Sequence, residues 1–148
     1  FSLDGLNYLS SYNPDDYAAI RWINSNILGD PGIIEANGSD YSDYGRVSAY
    51  TGLPSPMNWI GHELQWRINW MNRGDNSIDF NRRADDVRKI YTSADSNEVL
   101  NLMKYYGAKY IYVGALEQAT YQGVDLQHFN SFMHVVYHKG GVTIYQVP

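Results

Sequence analysis

Arg46, His62, Glu63, Trp66 and Arg67 are the side chains best suited to chemistry in this 148-residue chain. They fall in two stretches, Gly45-Arg-Val-Ser-Ala-Tyr-Thr-Gly-Leu-Pro54 and Trp59-Ile-Gly-His-Glu-Leu-Gln-Trp-Arg67. Two Trp, two Arg, a His-Glu pair, three Gly and a Pro stand there more densely than folding alone requires. An adjacent imidazole and carboxylate can relay a proton. Guanidinium groups pair with phosphate through parallel hydrogen bonds, and indole rings stack on the apolar faces of sugars. The plainer reading is that Glu63 and Arg67 form an i,i+4 ion pair worth a few tenths of a kcal/mol and that the tryptophans only pack.

Other chemistries lose support at specific positions. His62-Glu63-Leu64-Gln65-Trp66 opens like a zinc-protease helix, but Trp66 stands where the second His ligand is needed. His134 and His138 would share one face of a strand, yet no carboxylate near them in sequence completes a ligand set. Cysteine is absent, which removes disulfides and thiolate metal sites. No Gly-x-Ser-x-Gly elbow, phosphate-binding loop or dinucleotide fingerprint occurs. Neither a metal nor a cofactor is expected.

The elements that must position these residues follow from periodicity and punctuation. Asn13-Pro14-Asp15-Asp16 is a helix start, with Asn as N-cap, Pro at the first helical position and acids in the first turn. Tyr17, Ile20, Ile23 and Ile27 continue it until Gly29-Asp30-Pro31-Gly32. Ile33–Ala36 and Lys109–Gly114 are short, apolar and bounded by turn signals, which predicts interior strands. Residues 37–44 are polar and turn-rich, and a short helix follows over Arg46–Tyr50, closed by Gly52 and Pro54. From Ile60 to Met71 the apolar residues Ile60, Leu64, Ile68 and Met71 share a narrow arc, with His62, Glu63, Trp66 and Trp70 on an adjoining face. Arg73–Ser77 reads as a loop, Asn81–Ile90 as a helix, and Ser93–Tyr106 as another with Gly107 as its C-cap. Met133–Tyr137 and Val142–Val147 form a hairpin around Lys139-Gly140-Gly141. The predicted class is α/β: one domain over residues 1–148, a mixed sheet flanked by helices, and a C-terminal β-hairpin.

In such a sheet, ligands bind in loops leaving the carboxyl ends of strands. The loop from Glu35 to Arg46 holds Asp40, Asp43, Ser39, Tyr41, Ser42, Tyr44 and Arg46, polar groups able to hold a sugar or a phosphate. Asn37-Gly38-Ser39 is also an N-glycosylation sequon. A formal net charge of −5 without a Lys/Arg run argues against a nucleic-acid partner. No stretch approaches the roughly 20 apolar residues that cross a bilayer, so the chain taken alone is expected to be soluble. It begins at Phe1, which fits a domain excised from a larger protein.

One resemblance spans nearly the whole chain. Leu3-Asp4-Gly5, Ala19-Ile20-Arg21-Trp22, Glu35-Ala36, Tyr41-Ser42, Gly45-Arg46-Val-Ser-Ala, Thr51-Gly-Leu-Pro54, Trp59-x-Gly-His-Glu-x-Gln-Trp-Arg67, Ile90-Tyr91-Thr92, Tyr105-x-Gly107 and Tyr110-Ile-Tyr-Val-Gly114 occur in this order. The set resembles the C-terminal part of the YYY family of polytopic membrane proteins. That resemblance implies kinship with GT-C-type glycosyltransferases, which use lipid-phosphate sugars, and a domain projecting from many membrane spans on the extracytoplasmic side. The membrane-spanning part of the parent chain is then its partner and carries the reacting carboxylate. Ser42-Asp43-Tyr44-Gly45 is similar to the end of the Trp-Trp-Asp-Tyr-Gly acceptor motif of oligosaccharyltransferases but lacks both tryptophans.

Three functions remain open. In the favoured one, an accessory or substrate-shaping domain uses Asp43, Tyr44, Arg46, His62, Glu63, Trp66 and Arg67 to hold a glycan or a lipid-linked phosphate sugar. In the second, His62 and Glu63 serve a self-sufficient enzyme as its acid–base pair. In the third, the cluster is core and the domain is structural or binds a partner.

Overall fold

The structure is a computed structural model, and it describes residues 13–36, 46–56 and 75–148. Helix α1 (Pro14–Asn26) begins as the sequence predicts, with the Asn13 side chain accepting from the Asp16 amide at 3.4 Å. Strand β1 (Gly32–Ile34) follows, then the short helix α2 (Arg46–Thr51). Helices α3 (Asp75–Thr92) and α4 (Ser96–Tyr106) precede strand β2 (Ala108–Val113). The chain continues through helix α5 (Ala115–Thr120), a 3₁₀ helix (Leu126–Ser131), and strands β3 (His134–Lys139) and β4 (Val142–Gln146).

The four strands form a mixed sheet in the order β1-β2-β4-β3. β1 runs parallel to β2, and β4 is antiparallel to both β2 and β3. Strand side chains alternate between two apolar layers, as the period of two requires. Ile34, Ile111, Val113 and Tyr145 pack with Val87, Ile90 and Tyr91 of α3 and with Val99 and Met103 of α4. On the other face, Ile33, Tyr112 and Ile144 pack with Ala19 and Ile23 of α1 and Val47 of α2. The α/β class, the mixed sheet with flanking helices and the terminal hairpin all stand as predicted.

Several boundaries differ, and each difference has a cause. β1 is buried on both faces, but among the described residues it is an edge strand, not an interior one. Its outer side is closed by the Pro54 carbonyl, which accepts from the Ile33 amide at 2.9 Å. α3 begins at Asp75, inside the predicted loop Arg73–Ser77, because Asp, Asn and Ser favour helix starts as well as turns. α4 begins at Ser96 instead of Ser93, since Asp95 is its N-cap and accepts from the amides of Asn97 at 2.9 Å and Glu98 at 3.4 Å. Gly107 caps α4 with φ 67°, as predicted. Helix α5 and the 3₁₀ helix were not anticipated.

His134 and His138 do not share a strand face. His134 pairs with Gln146 and His138 with Thr143, and a register shift between Val135 and Tyr137 inserts an extra residue. Gln146 and Thr143 are three positions apart on β4, so their partners face opposite sides of the sheet.

Candidate functional site

Asn37, Asp43 and Tyr44 lie outside the described residues, as do His62, Glu63, Trp66, Arg67 and the predicted helix Ile60–Met71. Arg46 is described as the first residue of α2 through its backbone alone. What the structure does describe is the frame that flanks the segments 37–45 and 57–74 in the chain.

β1 and β2 are parallel, so their carboxyl ends lie side by side, and the segment 37–45 leaves from one of them. Two buried glutamates fix its ends. Glu117, on α5 and fully buried, accepts from the Ala36 amide through Oε2 at 2.9 Å and from the Gly114 amide through Oε1 at 2.8 Å. Glu35 is 3% exposed. It accepts from the Val47 amide at 3.2 Å and the Ser48 amide at 2.8 Å, satisfying the first free N–H groups of α2. A buried carboxyl group is tolerated only when its lone pairs are used, and here backbone donors from three separate elements use them.

Two further contacts hold the same end of the sheet. The Tyr91 hydroxyl lies 3.0 Å from the Ile34 carbonyl and 2.7 Å from the Tyr112 carbonyl, one proton shared between β1 and β2 near their carboxyl ends. The Tyr112 hydroxyl in turn donates to the buried Asp16 of α1. Pro54 lies along the outer edge of β1, and the Pro56 carbonyl accepts from Arg83 Nη1 at 3.4 Å. The Ser48 hydroxyl, 2% exposed, has no hydrogen-bond partner among the described residues.

Chemically, this frame positions a loop. Glu35 and Glu117 accept from backbone amides, and no group of three potential metal ligands occurs among the described residues. Glu117 and Tyr91 were missed as frame residues in the sequence. Glu117 had a local signal, because it stands three residues after Gly114 at the start of a helix, where Glu reaches back to the N-cap amide. Tyr91 had none, since its hydroxyl acts 57 residues away in sequence.

No protein-family model matches this chain, and no curated protein matches it in sequence. Its fold is similar to that of the C-terminal globular domain of an oligosaccharyltransferase from Archaeoglobus fulgidus. The TM-score is 0.53 at 15% identity, covering 88% of this chain and 95% of that domain. At such low identity the likeness is one of fold. The chain thus shares the fold of that globular domain, and among the described residues no helix is long and apolar enough to cross a membrane.

Proposed function

We propose that this chain is the extracytoplasmic accessory domain of a glycosyltransferase-like membrane protein of the YYY kind, shaping the substrate for a reacting centre in its membrane part. The observation that carries the reading is that Glu117 and Glu35 clamp the two ends of the segment 37–45 at the carboxyl ends of β1 and β2. A loop fixed so firmly at both ends can present Asp43, Tyr44 and Arg46 to a ligand at low entropic cost. Likeness of fold to an oligosaccharyltransferase domain supports the same reading. In it, Arg46 and Arg67 pair with phosphate, Trp66 stacks on a sugar ring, and His62 and Glu63 bind hydroxyl groups.

The chain alone lacks the membrane half of such a site. Millimolar affinity, about −4 kcal/mol, is therefore expected, and incubation with lipid-phosphate sugar donors should give no product. Chemical-shift mapping with sugar phosphates should perturb Trp66 and the amides from Ser39 to Arg46 together, and Arg46→Ala should abolish that response while the fold persists. If Arg46→Ala or Arg67→Ala unfolds the domain and no ligand shifts a resonance, the cluster is structural. Turnover that disappears with His62→Ala would establish a self-sufficient enzyme instead.

A further inference from the structure

A concavity opens at the carboxyl end of β2, beside β4, two strands away from β1. It has a volume of about 380 Å³ and lies between α5, the 3₁₀ helix and the β3–β4 turn. That is within the range of small-molecule sites, roughly 300–1,000 Å³. The carboxyl end of β2 forms part of its floor, through Val113, together with Leu126 and Tyr145, all buried. Its walls are polar. Gln118, Gln122 and Gln127 contribute three primary amides, Asp125 a carboxylate, and Thr143 a hydroxyl.

The lining excludes whole classes of ligand. It contains no Lys or Arg, so a phosphate or carboxylate would meet no fixed positive charge. The Gly140-Gly141 corner offers an anion no free Gly141 N–H, because Asp15 already accepts from that amide at 3.0 Å. An apolar ligand would leave three amides and a carboxylate facing it unpaired. The groups present suit a neutral ring bearing adjacent hydroxyls. A primary amide both donates and accepts, so it can pair with a hydroxyl in either role. A carboxylate accepts from two neighbouring hydroxyls, and the apolar floor packs against ring C–H groups. The carboxylate is held in place, because Asp125 Oδ1 accepts from the Gln127 amide at 3.0 Å. His138 Nδ1 lies 2.8 Å from Thr143 Oγ1, which orients the hydroxyl on the opposite wall.

We infer that this groove is a binding subsite for a neutral sugar ring, lined by residues other than those of the proposed phosphate-sugar site and lying at the carboxyl end of β2. It requires neither Arg46 nor the stretch 59–67, so it stands or falls apart from the proposed phosphate-sugar site.

The test is a chemical-shift titration of the whole chain with mannose, N-acetylglucosamine and glucose 1-phosphate. At least one neutral sugar should shift the amides of Gln118, Gln122, Asp125 and Thr143 with millimolar affinity. Gln122→Ala and Asp125→Asn should each weaken that binding by about tenfold, the effect of one lost hydrogen bond of ordinary strength. Both side chains are exposed, and Asn keeps an oxygen for the Gln127 amide, so the fold should survive. The inference is overturned if no neutral sugar shifts these amides. It is equally overturned if glucose 1-phosphate binds the groove as tightly as the neutral sugars, or if both variants bind unchanged.

Discussion

Ala36 and Glu117 are 81 residues apart in sequence, yet the Ala36 amide donates to Glu117 Oε2 at 2.9 Å. The other oxygen of the same side chain takes the Gly114 amide at 2.8 Å. One fully buried side chain therefore ties Ala36, two residues past β1, to Gly114, the residue after β2. The sheet's parallel pair then ends as a single rigid rim, which is what any loop carried there needs.

Glu117→Ala should strand both amide donors in the interior. Each unsatisfied buried donor costs about 1–3 kcal/mol, so a total loss of about 3 kcal/mol is expected in urea denaturation. Glu117→Gln retains one acceptor but sets its amide N–H against a backbone N–H, and it should recover no more than about half the loss. A Gln variant as stable as the native chain would show that the second acceptor oxygen contributes nothing.

Glu35→Ala acts more locally. Val47 and Ser48 lose the acceptor that fills the start of α2, and a helix of 6 residues has little else to hold it. Their amides should exchange with solvent about tenfold faster or more, while Val99 and Met103, in the layer on the opposite face of the sheet, keep their protection. Uniform loss of protection across the chain would mean that Glu35 supports the whole fold and not the loop's return point.

The elements most visible in the sequence were those with dense local signals. Asn13-Pro14-Asp15-Asp16 marked α1, Gly107 ended α4, and Gly140-Gly141 closed the hairpin. What escaped depended on distance in sequence. Among the described residues β1 is an edge because no strand pairs with its far side, and no residue of Gly32–Ile34 encodes that locally. Likewise the register shift near Val136, which separates His134 from His138, belongs to the pairing with β4 and not to the apolar alternation of β3. The loop frame behaved the same way. Glu35 was visible within the predicted strand Ile33–Ala36, but its use as an acceptor for α2 needed the chain's return 12 and 13 residues later.

Gly140→Ala should destabilise the hairpin through its contact with α1. Gly140 has φ 60°, where an L side chain is strained, and an added Cβ would lie 2.6 Å from Asp15 Cγ. Asp15 can swing away, but doing so breaks its 3.0 Å bond from the Gly141 amide. Strain and a lost hydrogen bond together amount to about 2 kcal/mol. In an Asp15→Ala background the same substitution should cost about 1 kcal/mol, because only the strain remains. Equal costs in both backgrounds would show that Asp15 and the turn are not coupled.

Alkaline pH offers a global readout. The Tyr106 hydroxyl donates to Asp86 Oδ2 at 2.5 Å, and its pKa is raised, first by burial and then by that hydrogen bond and the Asp86 charge. Tyr137 and Tyr145 are also raised, each first by burial and then by a nearby carboxylate, Asp15 and Asp125 respectively. In the unfolded chain these phenols return to about 10. Between that value and their higher folded values, the unfolded chain has released protons that the folded chain still holds. Stability is therefore complete below about pH 10 and falls as pH rises above it. Urea denaturation across that range should show a steadily falling midpoint, and tyrosinate absorbance should rise together with unfolding. Tyr106→Phe removes one of the three phenols and should flatten the fall. A midpoint that stays level to about pH 11, or one that falls as steeply in Tyr106→Phe, would show that Tyr106 ionises as freely in the folded protein as in the unfolded chain.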